Sequence, residues 1–280
     1  MADESNLRRI LQRMSDPTRF RKSIMGRRDF QPAVRLENVD YNDTPKLDRV
    51  VFVCGLHRSG TTLLERMLAA RFELSYLRAS TPESEGQHMQ SVYRAARHYG
   101  GPGRFAFSRA MRDELRDLGK TEDCRKRIMA DWSRFVVGDS AILLEKSPPN
   151  LTKIHWLRQV FPESRFVIIL RDPRAASAAT QKWSKTSLPE LMMHWNVAYS
   201  QAMEDFCEED CIVIRYEDLT EAPEAEIGRV AEFLQLVPRA ASETIEGRHS
   251  EMRNSNAKYI EMHEGARYGV GIWNRFGYSV

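Results

Sequence analysis

The residues best suited to chemistry lie in a segment bracketed by two glycines, Gly55 and Gly60, which are separated by Leu-His-Arg-Ser. A short β-branched run at residues 50–53 precedes the segment, and an apolar-periodic stretch follows it. The sequence therefore predicts a buried strand, a tight loop and a helix. In that arrangement backbone N–H groups and the helix N-terminus point at one spot, which favours phosphate or sulfate oxygens.

The positively charged residue of this loop lies at a different position from that in a nucleotide kinase. Kinase-type phosphate loops continue with a lysine after the second glycine, whereas this chain has Thr61. Arg58 lies inside the loop instead, and its planar fork suits bidentate contacts with oxyanions. The predicted anion-binding residues are Arg58, Ser59, Gly60, Thr61, Thr62 and Leu63.

A second chemical candidate is the polar stretch at residues 80–88, which follows a predicted strand at residues 72–77. It holds Glu83, Glu85 and His88. Transfer of a group to a hydroxyl needs a base beside the acceptor, and a partly desolvated carboxylate or imidazole can have a suitable pKa. The residue types alone leave open which of the three would act, or whether the stretch is simply a solvated loop.

Further predicted strands must position these groups. Apolar runs at residues 141–144, 165–170 and 211–214 alternate with helical patterns. This alternation predicts an α/β fold with a parallel sheet of the P-loop nucleotide-binding type, flanked by helices and joined by right-handed crossovers. Polar residues follow the strands at one sheet edge, where such folds bind ligands.

The domain organisation is predicted as one α/β domain at residues 49–280, preceded by an arginine-rich arm at residues 1–48. The arm could be a surface helix packed on its own domain, a dimer clasp or a contact with a membrane surface. Residues 91–137 have a charged, helical pattern and predict a helical cap inserted in the domain. Insertions beside a parallel sheet usually set substrate choice, so we expect acceptor specificity to reside there and near residues 80–90.

The amino-acid composition limits the classes of binding partner and the cellular location that we expect. Lysine and arginine number 42 against 39 aspartates and glutamates, a formal net charge of +3. This mild basicity fits an anionic small molecule better than nucleic acid. The four cysteines have no zinc-site spacing, and we interpret them as reduced thiols of a cytoplasmic protein. No apolar segment predicts secretion or a membrane span, and a homodimer is possible.

Four short segments together resemble a known family. HRSGTT, EKSP, RDPR and YEDL occur in this order between residues 50 and 219. Their conjunction resembles the bacterial type of sulfotransferases that use 3′-phosphoadenosine 5′-phosphosulfate (PAPS). HRSGTTLL looks like the loop that holds the donor's 5′-phosphosulfate in that family, in which a basic residue precedes Ser-Gly-Thr-Thr.

The resemblance implies direct in-line transfer of a sulfuryl group from PAPS to a hydroxyl or amine of a small-molecule or glycan acceptor. Adenosine 3′,5′-bisphosphate would be the product, and neither a metal nor a covalent enzyme intermediate is expected. Lys146 of EKSP would contact the bridging oxygen, and Arg58 would help to stabilise the transferred group. A Glu-x-Glu-Gly-Gln segment of the family favours Glu85 as the base, ahead of His88 and Glu83.

The other end of the nucleotide is implied less completely. Arg171 of RDPR would bind the 3′-phosphate, and Tyr216 of YEDL would lie against the adenine ring. The family's usual serine lies eight residues after the arginine, where this chain has Ala179. Thr180 is the first choice to supply the missing hydroxyl, and Ser177 is the alternative.

Two other functions remain open from the sequence. The glycine spacing also fits a small-molecule kinase, which would need ATP and magnesium. The imperfect 3′-phosphate segment would permit a non-catalytic protein that senses or displays the nucleotide.

Overall fold

A parallel β-sheet organises the chain, whose computed structural model describes residues 46–80, 82–118, 121–240 and 254–280. The predicted arm at residues 1–48 falls almost entirely outside the described residues. The described chain forms a six-stranded sheet with the order β3-β2-β4-β1-β5-β6. The strands are β1 (Arg49–Gly55), β2 (Ser75–Leu77), β3 (Val136–Val137), β4 (Ile142–Lys146), β5 (Arg165–Leu170) and β6 (Cys211–Arg215).

Strand direction agrees with the predicted fold class. All pairings are parallel except that of β2 with the short edge strand β3. The predicted α/β fold with a parallel sheet is therefore confirmed, except that the sheet also has one antiparallel edge strand, which the sequence did not predict. The second strand is also shorter than the predicted 72–77, because Phe72 forms an isolated antiparallel bridge with Pro238 before β2 begins.

The register of the sheet places the chemical segments side by side. Lys146 at the end of β4 pairs with Val53 of β1, and Gly55 pairs with Ile169 of β5. Leu170 in turn pairs with Arg215 of β6. Because parallel strands all end at the same edge, the glycine loop lies between Lys146 on one side and the segments after β5 and β6 on the other.

Helices cover both faces of the sheet. The described helices are α1 (Thr61–Arg71), α2 (Arg109–Asp117), α3 (Thr121–Ser133), α4 (Ile154–Val160), α5 (Pro173–Gln181), α6 (Leu188–Glu204), α7 (Tyr216–Glu221), α8 (Pro223–Leu234) and α9 (Ala257–Ile260). Local sequence explains several starts. Pro173 stands in the first turn of α5, where its missing N–H costs nothing, and the Asp172 side chain accepts from the amides of Arg174 and Ala175.

Each central strand is buried on both faces, as its continuous apolar sequence predicted. Phe52 and Phe166 lie on one face, and their rings stack with centroids 5.5 Å apart. Val53 and Val167 lie on the other face, in a core cluster with apolar residues of α1 and α8. This alternation along β1 and β5 follows from the two-residue period of a strand.

The segment predicted as a helical cap packs extensively on the sheet. Met111, Ile128 and Trp132 from residues 91–137 belong to the same core cluster as Phe52 and Phe166. The segment thus provides part of one of the two layers that cover the sheet, and its part in acceptor choice stays a prediction. In the described ranges, no helix has both the length and the apolar character needed to cross a bilayer.

Candidate active site

The glycine loop leaves the first turn of α1 open to an anion. Gly60, immediately before α1, has a left-handed backbone with φ 100°, and within the described chain no side chain caps the helix. A Cβ atom at Gly60 would lie 2.8 Å from Cδ2 of Tyr216, so both conformation and space require glycine here. The amides of Thr61, Thr62 and Leu63 belong to this uncapped turn, where helices bind oxyanions.

The loop is tied to the fold from behind. The Tyr199 hydroxyl on α6 accepts from the Leu56 amide at 3.2 Å and donates to the Ile169 carbonyl at 2.8 Å. Thr180 Oγ1 donates to the His57 carbonyl at 3.2 Å. Ser59 is fully buried. The loop is therefore shaped by its supports before any ligand binds.

Arg58 lies on the exposed side of the glycine loop. Its backbone is left-handed at φ 69° and its side chain is exposed. The guanidinium carbon lies 4.9 Å from the ring centroid of Trp183, which is 65% exposed. Arg58 thus stands at the outer rim of the loop, stacked on an aromatic ring.

The centre of the site is a buried ion pair between Lys146 and Glu85. Lys146 is 2% exposed and Glu85 is 6% exposed. Lys146 Nζ lies 3.6 Å from Glu85 Oε1 and also donates to the Glu83 carbonyl at 3.1 Å. The strand end of β4 and the segment after β2 therefore bring a cation and a carboxylate together beside the loop.

The three candidate bases differ in their surroundings. Burial raises the pKa of Glu85, and the charge of Lys146 opposes part of that shift. Burial lowers the pKa of His88 to about 4, so its imidazole is neutral at pH 7, with Nε2 3.8 Å from Glu85 Oε2. Glu83 is exposed. Among these three, Glu85 combines burial with a cationic partner, which favours it as the base.

The backbone before Glu85 is strained. Glu83 and Ser84 both adopt left-handed conformations, with φ 52° and 50°. Such conformations are uncommon for residues with a side chain and persist where neighbouring contacts impose them. The Lys146 bond to the Glu83 carbonyl is one such contact, and Ser84 Oγ donates to the Ala79 carbonyl at 3.2 Å.

Arg171 lies on the other side of the loop with its donors engaged. Its Nη1 donates to the Arg58 carbonyl at 2.8 Å, Nε donates to Asn256 Oδ1 at 2.8 Å, and Nη2 donates to Ser255 Oγ at 3.1 Å. Burial lowers its pKa. The guanidinium carbon lies 4.5 Å from the ring centroid of Tyr216. A 3′-phosphate bound to Arg171 would therefore have to compete with Ser255 and Asn256.

The remaining predicted nucleotide contacts lie nearby but already have protein partners. The Tyr216 ring lies against Gly60 and under Arg171, with 9% of the residue exposed. The Thr180 hydroxyl is used by the His57 carbonyl, and Ser177 Oγ lies 3.5 Å from Met192 Sδ. Their predicted roles stay predictions.

Sequence reasoning gave no role to several residues that build the site. Glu145, the first residue of EKSP, is 1% exposed and accepts a hydrogen bond from the amide of Gly86, the residue after Glu85. Glu65 on α1 is 4% exposed, and burial raises its pKa against the charge of Lys146. A charged residue inside an apolar helical run was the available signal for Glu65. Asn256 lay outside every motif.

Across the described ranges no three His, Cys, Asp or Glu side chains are grouped to hold a metal ion. The expectation that the reaction needs no metal stays a prediction.

Comparisons with known proteins agree on one family. A family model described as "Sulfotransferase family" matches residues 50–238. Protein-tyrosine sulfotransferase A of Caenorhabditis elegans is 26% identical over 201 residues, 66% of this chain and 50% of that protein. Protein-tyrosine sulfotransferase 2 of Gallus gallus is 27% identical over 216 residues, 71% of this chain and 54% of that protein. The chain thus spans about half the length of these relatives.

A solved structure shares the fold. The sulfotransferase domain of the Synechococcus PCC 7002 olefin synthase superposes with a TM-score of 0.52 and 14% identity, covering 87% of this chain and all of that one.

Proposed function

The chain belongs to the sulfotransferase family, and on that premise we propose that it transfers a sulfuryl group from PAPS to a hydroxyl or amine of an acceptor. The observation that carries the proposal is the buried Lys146–Glu85 pair, 3.6 Å apart, beside an uncapped anion-binding turn. A base and a cation are the two groups that such a transfer needs at the reacting atoms.

The residues present fit the anionic donor. The uncapped first turn of α1 and Gly60 favour binding of the 5′-phosphosulfate. Arg58 lies in the same loop and could contact this group by a change of its side-chain rotamer. Arg171 and Tyr216 lie on the side of the loop opposite Lys146. Arg171 would contact the 3′-phosphate of the donor, and Tyr216 would contact its adenine ring. PAPS supplies an activated sulfuryl group attached through a phosphate oxygen.

The chain's own groups would then serve the transfer as follows. Glu85 takes the proton of the acceptor hydroxyl as that oxygen forms its bond to sulfur. Lys146 and the amides of the loop stabilise the negative charge on the leaving phosphate as the old sulfur–oxygen bond breaks. Adenosine 3′,5′-bisphosphate and the sulfated acceptor leave. Such preorganised donors act strongly because water is largely excluded from the buried pair.

The acceptor class is proposed more broadly than the sequence suggested. Relatives are named protein-tyrosine sulfotransferases, so a tyrosine phenol in a peptide joins the small-molecule and glycan hydroxyls. The test is transfer of label from PAPS to a simple phenol, an oligosaccharide and a tyrosine peptide. Labelled product from any of them supports the proposal, and the relative kcat/KM values identify the class. Tight donor binding without product from a broad panel would favour the non-catalytic alternative.

The identity of the donor nucleotide distinguishes the proposed sulfotransferase from the alternative of a small-molecule kinase. Calorimetric titration with adenosine 3′,5′-bisphosphate should give binding at least about tenfold tighter than ATP with magnesium, a difference of about 1.4 kcal/mol. Tighter binding of ATP with magnesium would support the kinase instead. The cytoplasmic location and the homodimer stay predictions.

A further inference from the structure

Glu145 is the unassigned residue of the EKSP segment, and it directly precedes Lys146 on β4. The two side chains lie on opposite faces of the sheet, because Glu145 pairs with Phe52 and Lys146 with Val53. Glu145 is 1% exposed. A carboxylate buried this deeply is costly unless its oxygens accept hydrogen bonds, so its partners indicate what it holds.

One of those partners belongs to the segment that carries the candidate base, and the other two follow β4 in the chain. The Gly86 amide donates to Glu145 Oε1 at 2.9 Å, and the Ser147 hydroxyl donates to the same oxygen at 2.6 Å. Asn150 Nδ2 donates to Oε2. All three groups are donors, which fits an ionised carboxylate that only accepts. Glu145 thus holds the amide immediately after Glu85.

The fit between Gly86 and Glu145 is close. A Cβ atom at Gly86 would lie 2.7 Å from Glu145 Oε1 and 2.9 Å from its Cγ. The backbone at Gly86 is not left-handed, so the requirement for glycine comes from the approach of this carboxylate. The segment can therefore lie at this depth only while residue 86 has no side chain.

Hydrogen bonds continue from Glu145 to the carboxylate of Glu85. The Ser147 hydroxyl accepts from the Gln87 amide at 3.1 Å, and Gln87 Nε2 donates to Glu85 Oε2. Trp132 Nε1 fixes the same segment by donating to the Gly86 carbonyl at 3.1 Å. Because Lys146 is the next residue along β4, the same strand fixes both members of the Lys146–Glu85 pair.

We propose that Glu145 is a positioning residue that acts through the Gly86 amide to set Glu85 against Lys146. This inference rests on the proposed function. Its removal should lower kcat while leaving donor affinity unchanged, since its hydrogen-bond partners Gly86, Ser147 and Asn150 lie outside the glycine loop. A shift of about 1 Å at a reacting group can cost about a hundredfold in rate, so a loss of about tenfold to a hundredfold is expected.

The test is a double-mutant cycle of Glu145→Gln and Glu85→Gln. Glutamine keeps the size of the side chain but replaces one acceptor oxygen by an NH2 group. That group would face a donor, either Asn150 Nδ2 or the Ser147 hydroxyl, and a hydrogen bond would be lost. Glu145→Gln should lower kcat in the wild-type background, keep the Kd for adenosine 3′,5′-bisphosphate within about twofold, and cost less than about twofold further in the Glu85→Gln background. Additive losses, or an unchanged kcat, would overturn the proposal.

Asp131→Asn is the matched control. Asp131 is also a fully buried carboxylate that accepts from a loop amide and a serine hydroxyl, both of Ser91 and both at 2.7 Å, and these hydrogen bonds do not involve residues 85–88. Both Ser91 bonds end on Oδ2, and Oδ1 has no hydrogen-bond partner among the described residues, so an amide can keep both bonds. Asp131→Asn removes a buried carboxylate, as Glu145→Gln does, and should leave kcat within about twofold. An equal loss of kcat in the control would assign the effect to folding and contradict the proposal.

Two further measurements test the proposal without relying on enzyme activity or on the Glu145→Gln variant alone. Amide hydrogen exchange at Gly86 and Gln87 should be at least about tenfold faster in Glu145→Gln than in Asp131→Asn. Unchanged exchange would overturn the positioning role of Glu145, whether or not the chain transfers a sulfuryl group. Absence of transfer would contradict the proposed function instead. If Glu145→Gln does not fold, Gly86→Ala moves the same segment without altering the carboxylate and should reproduce the loss of kcat.

Discussion

Glu85 and Lys146 illustrate how two side chains of ordinary chemistry become a reactive pair. Neither is unusual in the sequence, and each is more than nine-tenths buried in the structure. Burial raises the pKa of the carboxyl, which makes it a better proton acceptor, while the lysine charge opposes part of that rise. The pair therefore serves a transfer in which a proton is accepted and negative charge develops nearby.

Replacement of the carboxylate distinguishes Glu85 from its neighbour. Glu85→Gln should lower kcat about a hundredfold or more, because general-base catalysis contributes on that order. His88→Gln is the matched control, since the neutral His88 lies 3.8 Å from the same oxygen, and it should lose less than about tenfold. Initial rates with saturating PAPS measure both. A greater loss in His88→Gln would reassign the base.

The pH dependence of the rate follows from the same carboxyl. Glu85 acts when ionised, and burial raises its pKa above the ordinary 4.5, so activity should fall as the pH drops through that raised value. A profile of kcat/KM against pH measures it, and the Glu85→Gln variant should lack this acid limb. An identical acid limb in the variant would show that another group titrates.

At the scale of elements, the turn between β1 and α1 depends on one glycine. Gly60→Ala would put a Cβ at φ 100° and 2.8 Å from the Tyr216 ring, so the loop must move. Calorimetry should show adenosine 3′,5′-bisphosphate binding weakened about tenfold or more. Gly228→Ala is the control, because in the described structure nothing lies within 4 Å of its Cβ position on α8, and it should bind normally. Normal binding by Gly60→Ala would place the donor elsewhere.

The sequence predicted this element pattern well because its signals are local. The buried strands follow from short β-branched runs, and the loop from Gly55 and Gly60. What it missed depends on contacts between distant segments. The bond from Gly86 to Glu145 joins residues 59 apart in the chain, and that from Arg171 to Asn256 joins residues 85 apart. No local pattern could indicate that the predicted 3′-phosphate arginine already has protein partners, or that Arg58 stacks on Trp183.

For the whole molecule, a buried lysine links stability to pH. Lys153 Nζ has no hydrogen-bond partner among the described residues and lies 4.1 Å from the Tyr93 ring centroid. Burial lowers its pKa to about 8, against an unfolded value near 10.4. The unfolded chain therefore binds more protons between these values, and stability from this group rises with pH across that window.

Lys153→Met removes this buried charge and should raise the free energy of unfolding at pH 7 by up to about 3 kcal/mol, from about 1.4 kcal/mol for each unit of pKa. The advantage over wild type should close by pH 10, as wild-type Lys153 loses its proton. Urea unfolding at pH 7, 8.5 and 10 measures the difference. The exposed Lys185, changed to Met, should differ little from wild type throughout. A constant difference for Lys153→Met would contradict the account.

The function proposed for the molecule rests on four segments that the sheet brings to one edge in a chain of the sulfotransferase family. The most direct measurement is transfer of labelled sulfate from PAPS, in the presence of EDTA, by the wild type and by Lys146→Ala. We expect labelled product from the wild type. Lys146→Ala should lose about a hundredfold or more in turnover and keep its affinity for adenosine 3′,5′-bisphosphate. Wild-type turnover by Lys146→Ala, or no product from the wild type with any acceptor, would contradict it.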